Sequence, residues 1–327
     1  MTLSCTTQQS KVTSAEEHIL SVSEALTTDI MTPETMWNMG RIGTPTLSPD
    51  GKTLAFTITY TDIAEDKNIT DIYTLSIEGG KPQRVTTTEA NEAQVGWLPD
   101  GSAITYLSAK SGKTQLWQIQ SDGTEALQLT DISEGIDMYA FSPDMAQLLY
   151  VKRVKLDTTI HDIHPDLPKA NARIETDLMY RHWNAWSDNS YNHVFVTPFA
   201  KGKKSSDGMD IMEGEKYHSP LMPFGGIEQI TWTPDGQYIA YTCKKLTGMA
   251  SAKSTNSDIY LYRIVTGETK KLTEGNMGYD MNPQFSADGK YMFYQSMERD
   301  GYESDKNRLM VLDMTTGERR DPVSYTH

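Results

Sequence analysis

One turn, written five times, limits what this chain can fold into. "LSPDGKTLAFT" (47–57) returns as "WLPDGSAITYL" (97–107), "FSPDMAQLLYV" (141–151), "WTPDGQYIAYT" (232–242) and "FSADGKYMFYQ" (285–295). In the first copy Pro49 presets the backbone for a turn, Asp50 can hydrogen-bond back to it, and Gly51 accepts a positive φ. Apolar residues alternate on either side, so each copy reads as a β-hairpin. A third strand follows in "DIYTL" (71–75), "QLWQI" (115–119), "DIYLY" (258–262) and "RLMVL" (308–312). A fourth closes the unit in "PQRVT" (82–86), "ALQLT" (126–130) and "TKKLT" (269–273). Four antiparallel strands per unit, with the unit repeating, is the pattern of a β-propeller. The expected fold class is therefore all-β: about five four-stranded blades in an incomplete ring, with a short N-terminal helical segment.

The turn aspartates Asp50, Asp100, Asp144, Asp235 and Asp288 are spaced by 50, 44, 91 and 53 residues. The long gap predicts an insertion in the third blade over 152–192, since "HDIHPDLPKANARIETDLMYRHWNAWSDNSYN" (161–192) carries no turn of the repeat type. A short amphipathic segment is expected near 172–183, and the third strand resumes as "HVFVTPF" (193–199). Met145 stands where the other copies have Gly and resists positive φ, so a different or shifted turn is expected there. The aromatics Trp97, Phe141, Trp232 and Phe285 share one repeat position before the turn and read as packing between blades. Upstream, residues 1–31 read as a tail with a short helix near 14–26; Thr32 and Pro33 then start a second helix that Gly40 stops.

Net charge is −14, which argues against a nucleic-acid partner, because phosphate binding needs clustered Lys and Arg. Cys5 and Cys243 are the only cysteines and cannot make a disulfide framework. Cys243, in "IAYTCKK", reads as a small buried strand residue. Cys5, in "MTLSCTTQQS", resembles the lipidated cysteine of a bacterial lipoprotein, although Thr2 stands where such a site has Leu and no complete signal peptide precedes it. Export to the periplasm or cell surface, with a lipid anchor as the only membrane contact, is therefore set beside a cytoplasmic location. The last five residues, "VSYTH" (323–327), match the in-frame translation of a transposon end used in sequencing libraries and read as a non-native tail.

The hairpin "LSPDGKTLAFT", the preceding "TPETMWNMGRIG" and above all "DLMYRHWNAW…HVFVTPF" resemble the N-terminal propeller of the prolyl oligopeptidase family of serine peptidases. The dipeptidyl peptidase 5 and acylaminoacyl-peptidase branch is the nearest type, over residues 32–322. The resemblance implies a C-terminal α/β-hydrolase domain as the partner of this propeller, holding a Ser-Asp-His triad, with short peptides as substrates. No G-x-S-x-G elbow occurs in this chain, so no catalytic residue is assigned. The expected function is the non-catalytic propeller portion of an exopeptidase that releases dipeptides or acylated residues, gating access to the missing domain. The alternative is a stand-alone TolB-like binding or scaffold module, since fold alone does not decide function. With fewer blades than such peptidases carry, the chain is expected to form an open arc prone to self-association.

Tyr180, Arg181 and Trp183, with Glu175 and Asp177 nearby, are the candidate substrate-binding residues, because aromatics and Arg on an insertion can form a recognition surface. The opposing reading is that Trp183 and Trp186 only pin the insertion to a neighbouring blade. No cofactor and no metal are expected: His161 and His164 with Asp157, Asp162 and Asp166 lack zinc-site spacing, and Asp62, Glu65, Asp66 and Asp71 lack a calcium-loop pattern and read as solvated loop. The absence of a His cluster also disfavours a propeller lyase.

Overall fold

The computed structural model describes residues 30–323. Cys5, the helix expected near 14–26 and the tail beyond Val323 lie outside the described residues. Helix α1 (Pro33–Asn38) starts as the sequence indicates, with the Thr35 amide donating to Thr32 Oγ1 at 3.2 Å. Five antiparallel sheets follow. The first joins β1 (Arg41–Ile42) and β2 (Thr46–Leu47), both paired to β3 (Thr53–Asp62), with β4 (Lys67–Ser76) and β5 (Gln83–Arg84). The second runs β6 (Glu92–Trp97), β7 (Ile104–Ser108), β8 (Gln115–Ile119), β9 (Leu127–Gln128). In the third, β10 (Met138–Phe141) and β11 (Gln147–Lys155) are followed by β14 (Ser190–Pro198) and β15 (Met209–Asp210). Between β11 and β14 sit helix α2 (Ile160–Ile163) and a separate two-stranded ribbon of β12 (Arg181–His182) and β13 (Ala185–Trp186). The fourth sheet is β16 (Ile230–Trp232), β17 (Tyr238–Cys243), β18 (Asp258–Arg263), β19 (Thr269–Lys271), with helix α3 (Gly248–Lys253) between β17 and β18. The fifth is β20 (Asp280–Phe285), β21 (Tyr291–Ser296), β22 (Arg308–Asp313), β23 (Arg319–Arg320). The chain divides into two compact units, one holding residues up to Gly112 with Gln118–Ala126, the other Lys113–Trp117 with Leu127 onward.

The repeated turn is a side-chain-locked hairpin. Ser48 Oγ donates to Asp50 Oδ1 at 2.6 Å, and the Lys52 amide donates to the same oxygen at 3.2 Å. Ser142–Asp144, Thr233–Asp235 and Ser286–Asp288 repeat the hydroxyl contact at 2.5–2.6 Å. The second copy has Leu98 at the hydroxyl position, and Ser102 Oγ supplies the bond to Asp100 at 2.6 Å instead. The residue after each Asp has positive φ, including Met145 at 57°, so the expectation of a different turn there is corrected. The Asp144 carboxylate accepts the Ser142 hydroxyl and the Ala146 amide, and those bonds hold the turn against the preference of the Met side chain.

A second repeated lock was not read from the sequence. The amide of Ile72 donates to Thr86 Oγ1 at 2.9 Å, and that hydroxyl donates to Asp71 Oδ1 at 3.1 Å. Leu116, Thr130 and Gln115 repeat the arrangement, as do Ile259, Thr273 and Asp258. Asp71 is thus buried and paired to Arg84 at 2.6 Å, which corrects its reading as solvated loop; Glu65 and Asp66 are exposed in the β3–β4 turn. Asp258 pairs with Lys271 at 2.7 Å in the same way, and in the third sheet His193 pairs with Asp210 at 2.7 Å, with the acidic partner moved to the other strand.

Within the second unit, the third sheet packs a face on the fourth, and the fourth packs its other face on the fifth. Leu149, Val151, Val194 and Val196 of the third sheet pack against Ile239, Tyr241, Cys243 and Tyr260 of the fourth. Cys243 is a buried free thiol, which burial pushes up to about 12. Two of the aromatics before the turn join neighbouring sheets: the Trp97 indole donates to Thr46 O at 3.4 Å, and that of Trp232 to Ala140 O at 3.3 Å. Ile72, Leu116, Val194 and Ile259 hold one repeat position at 0% exposure, whereas Leu309 holds it in the fifth sheet at 45%. Between the fourth and fifth sheets, Asp280 is buried and accepts from Asn276 Nδ2 at 3.0 Å.

Two outcomes follow from these locks. Replacing Met145 with Gly removes a left-handed side chain and is expected to stabilise the protein by about 1 kcal/mol, read as a rise of roughly 2 °C in a thermal melt. Burial pushes the Asp280 carboxyl up to about 6 from an ordinary value of 3.8. The folded chain therefore holds this proton more tightly than the unfolded one, so the contribution is complete below the ordinary value and is lost as pH rises through the raised one. The Tm difference between Asp280→Asn and the parent should shift in the variant's favour from pH 4 to pH 7.5, and a pH-independent difference would contradict the assignment.

Candidate functional site

The insertion between β11 and β14 begins where cross-strand pairing stops. The ladder runs from Gln147↔Pro198 to Lys155↔Ser190, so the strands extend into both ends of the expected 152–192 and the inserted residues are 156–189. Its base is tied at several points. Arg153 pairs with Asp188 at 2.8 Å, and Asp157 takes Lys216 at 2.7 Å and the Tyr191 hydroxyl at 2.7 Å. Asp162 receives the Thr159 amide and hydroxyl at 2.7 and 2.6 Å and so caps α2. The two aspartates thus serve structural bonds, His161 and His164 are not clustered with them, and no metal-holding group of three or more His, Cys, Asp or Glu is gathered among the described residues.

The segment expected to be amphipathic near 172–183 forms no helix; it is an exposed strap, half-buried only at His182, leading into the β12–β13 ribbon. Its order comes from stacking on Trp186 rather than from an apolar face. Tyr180 stacks on that indole with centroids 6.0 Å apart, and the guanidinium groups of Arg173 and Arg181 lie 5.4 and 5.2 Å from its centroid. Glu175 is ion-paired to Arg173 at 3.1 Å. Arg181 Nε donates to Trp183 O at 2.8 Å and fixes the ribbon tip, where Trp183 has φ of 48° and is 71% exposed. A bulky residue in that region is strained and is kept there by surrounding bonds.

Two other loops meet the insertion. Phe224, 75% exposed, packs its ring 5.3 Å from that of Trp183. The loop that carries it is anchored by Ser219 N to Asn192 O at 2.9 Å, Leu221 N to Gln229 Oε1 at 2.8 Å and Gly225 N to Leu221 O at 2.8 Å. At its root, burial and the nearby guanidinium of Arg153 push His218 down to about 4, and its Nδ1 accepts the Asn192 amide at 3.1 Å. The second loop is the start of α3. Asp177 accepts the Leu178 amide at 2.7 Å, and its carboxylate lies where a side chain at Gly248 would be. Gly248 is therefore favoured by its φ of 54°, and a side chain there would displace the Asp177 carboxylate.

The structure thus gathers Tyr180, Arg181 and Trp183 on one ribbon, ties Glu175 to Arg173 and places Asp177 against α3. Sequence reasoning missed Phe224 and Gly248. The signal for the first is the stretch "SPLMPFGG" (219–226), where Pro and Gly hold a Phe in a loop. The nearest thing to a catalytic pair is His193 with Asp210, yet His193 is fully buried and its Nε2 faces Glu215 O at 2.7 Å. That leaves no ring nitrogen for a nucleophile, so the arrangement can bind and orient but holds no base–nucleophile pair.

Successive antiparallel sheets of the same strand order, each opened by the same locked hairpin and packed face to face from the third to the fifth, define a β-propeller protein. The chain belongs to the TolB beta propeller domain family, whose profile matches residues 23–214. It is 45% identical over 289 residues to a dipeptidyl-peptidase 5 of Porphyromonas gingivalis, covering 88% of this chain and 42% of that protein. A dipeptidyl-peptidase 5 of Aspergillus fumigatus is 26% identical over 320 residues, again with 44% of its length covered. The chain therefore spans less than half the length of these relatives. Among solved structures, acylaminoacyl peptidase of Pyrococcus horikoshii matches with a TM-score of 0.63 at 16% identity, over 89% of this chain and 40% of that one.

If Gly248 carries the insertion by leaving room for Asp177, Gly248→Ala should speed tryptic cleavage in 169–181 severalfold. The pair Asp177→Ala with Gly248→Ala should recover most of the resistance. Equal cleavage of all three proteins would show that this contact does not hold the strap.

Proposed function

We propose that this chain is the propeller portion of a longer serine exopeptidase that releases dipeptides or acylated residues from short peptides, screening access to a separate α/β-hydrolase domain. The observation that carries this reading is the 45% identity to a dipeptidyl-peptidase 5 across 88% of the chain. Two structural features support it. The fifth sheet leaves Leu309 exposed at a position that neighbouring sheets cover elsewhere, which suits a polypeptide that goes on to cover it. The insertion lifts an aromatic tip from a rigid sheet, as a surface that meets substrate or a partner domain requires. In this reading Tyr180, Arg181 and Trp183 contribute to that surface, and Glu175 and Asp177 hold its shape.

The test is to express the native gene from which residues 1–322 come, beyond codon 322. The extended polypeptide should contain a G-x-S-x-G elbow followed by Asp and His, release dipeptides from dipeptidyl chromogenic substrates, and take up a fluorophosphonate at one serine. Residues 1–327 alone should do neither. A stop codon soon after the fifth sheet, or an extension that labels no serine, would instead favour a binding module.

A further inference from the structure

We propose that Trp183 and Phe224 together form a subsite for an uncharged apolar side chain of a peptide, and that this surface does not read the peptide's amino terminus. The proposal rests on the peptidase-propeller reading for the kind of ligand and on geometry for its chemistry.

Most polar groups of the ribbon are bonded within it. Glu175 is paired to Arg173, Asp177 is bonded to Leu178 N and pressed against Gly248, and Arg181 is bonded to Trp183 O while lying over Trp186. Of the two carboxylates of the strap, Glu175 is paired with a guanidinium, and Asp177 accepts a backbone amide and lies against Gly248 instead of the two rings. What the surface offers outward is apolar: Trp183 is 71% exposed, Phe224 75% and Met222 54%. These residues come from two segments far apart in sequence, yet the two rings meet at 5.3 Å with an interplanar angle of 56°. Tilted rings leave a wedge-shaped face that an aliphatic or aromatic group can enter with contact on two sides.

The pair is also preorganised. The Trp183 backbone is held at positive φ by the Arg181 bond, and the Phe224 loop is fixed by Gln229 and Asn192. Ordering cost on binding is therefore small, which suits recognition of a short flexible peptide. An apolar guest matches the two ring faces, whereas a Lys or Asp side chain would lose hydration against them.

The experiment uses the 327-residue chain and a hexapeptide with a C-terminal dye and Phe at its third position, followed by fluorescence polarisation. The Phe peptide should bind about tenfold more tightly than the same peptide with Gln, as burial of one aromatic side chain implies. Acetylating the amino terminus should change the affinity less than about twofold. Trp183→Ala and Phe224→Ala should each weaken binding about tenfold with an unchanged melting temperature, and Trp183→Phe should retain most of it. Binding that requires the free amine, equal affinity for the Phe and Gln peptides, or no binding by the parent chain would each overturn the proposal. So would a dimer in sedimentation that Trp183→Ala separates, because the rings would then be a self-association face. None of these outcomes touches serine labelling of the extended polypeptide, so failure here and failure of the peptidase reading are told apart.

Discussion

The architecture depends on how each sheet keeps its last strand. The fourth strands span only two or three residues, too few for ladder bonds alone to secure them. The buried threonines Thr86, Thr130 and Thr273 supply the missing restraint. Each accepts an amide from the third strand and donates to the side chain one residue before it. A buried hydroxyl that both donates and accepts leaves little unsatisfied, and removing it would strand an amide in the core. The adjoining polar pair can run in either direction, as Asp71–Arg84 and His193–Asp210 show, provided the two strands stay complementary.

Much of this was legible in the sequence because turns are local. Pro, Asp and Gly at fixed offsets specify a hairpin without reference to anything distant, and alternation assigns the faces. Two readings failed where a side chain found a partner elsewhere. Met145 was expected to distort its turn, but Asp144 and Ser142 enforce the repeat geometry regardless. Asp71 looked solvated beside Asp62 and Asp66, but its partners Arg84 and Thr86 lie a full strand away. The candidate site was half legible. Tyr180, Arg181 and Trp183 announce themselves by composition, whereas Phe224 and Gly248 matter only because folding brings their loops to the insertion.

Strain and satisfaction are divided unevenly across the molecule. In the sheets, most order comes from the ladders and from aromatic rings between layers, as with Trp232 over Ala140. On the insertion, order is achieved with almost no core: one indole, Trp186, gathers a tyrosine and two arginines around itself. Such a cluster fixes a ribbon on the surface while leaving the neighbouring indole free to face solvent. Recognition by Trp183 would then require no rearrangement of the sheets beneath it.

The indole bonds from Trp97 to Thr46 and from Trp232 to Ala140 reach only the adjacent sheet, and so do the apolar faces. Heredity can exploit that. With turn spacings of 44 to 53 residues outside the insertion, an unequal crossover that duplicates or deletes one period preserves every kind of contact and changes only how many times it is made. The same economy lets one period accept an extra exon's worth of chain at a strand junction, as 156–189 does, with no alteration to the grammar of its neighbours.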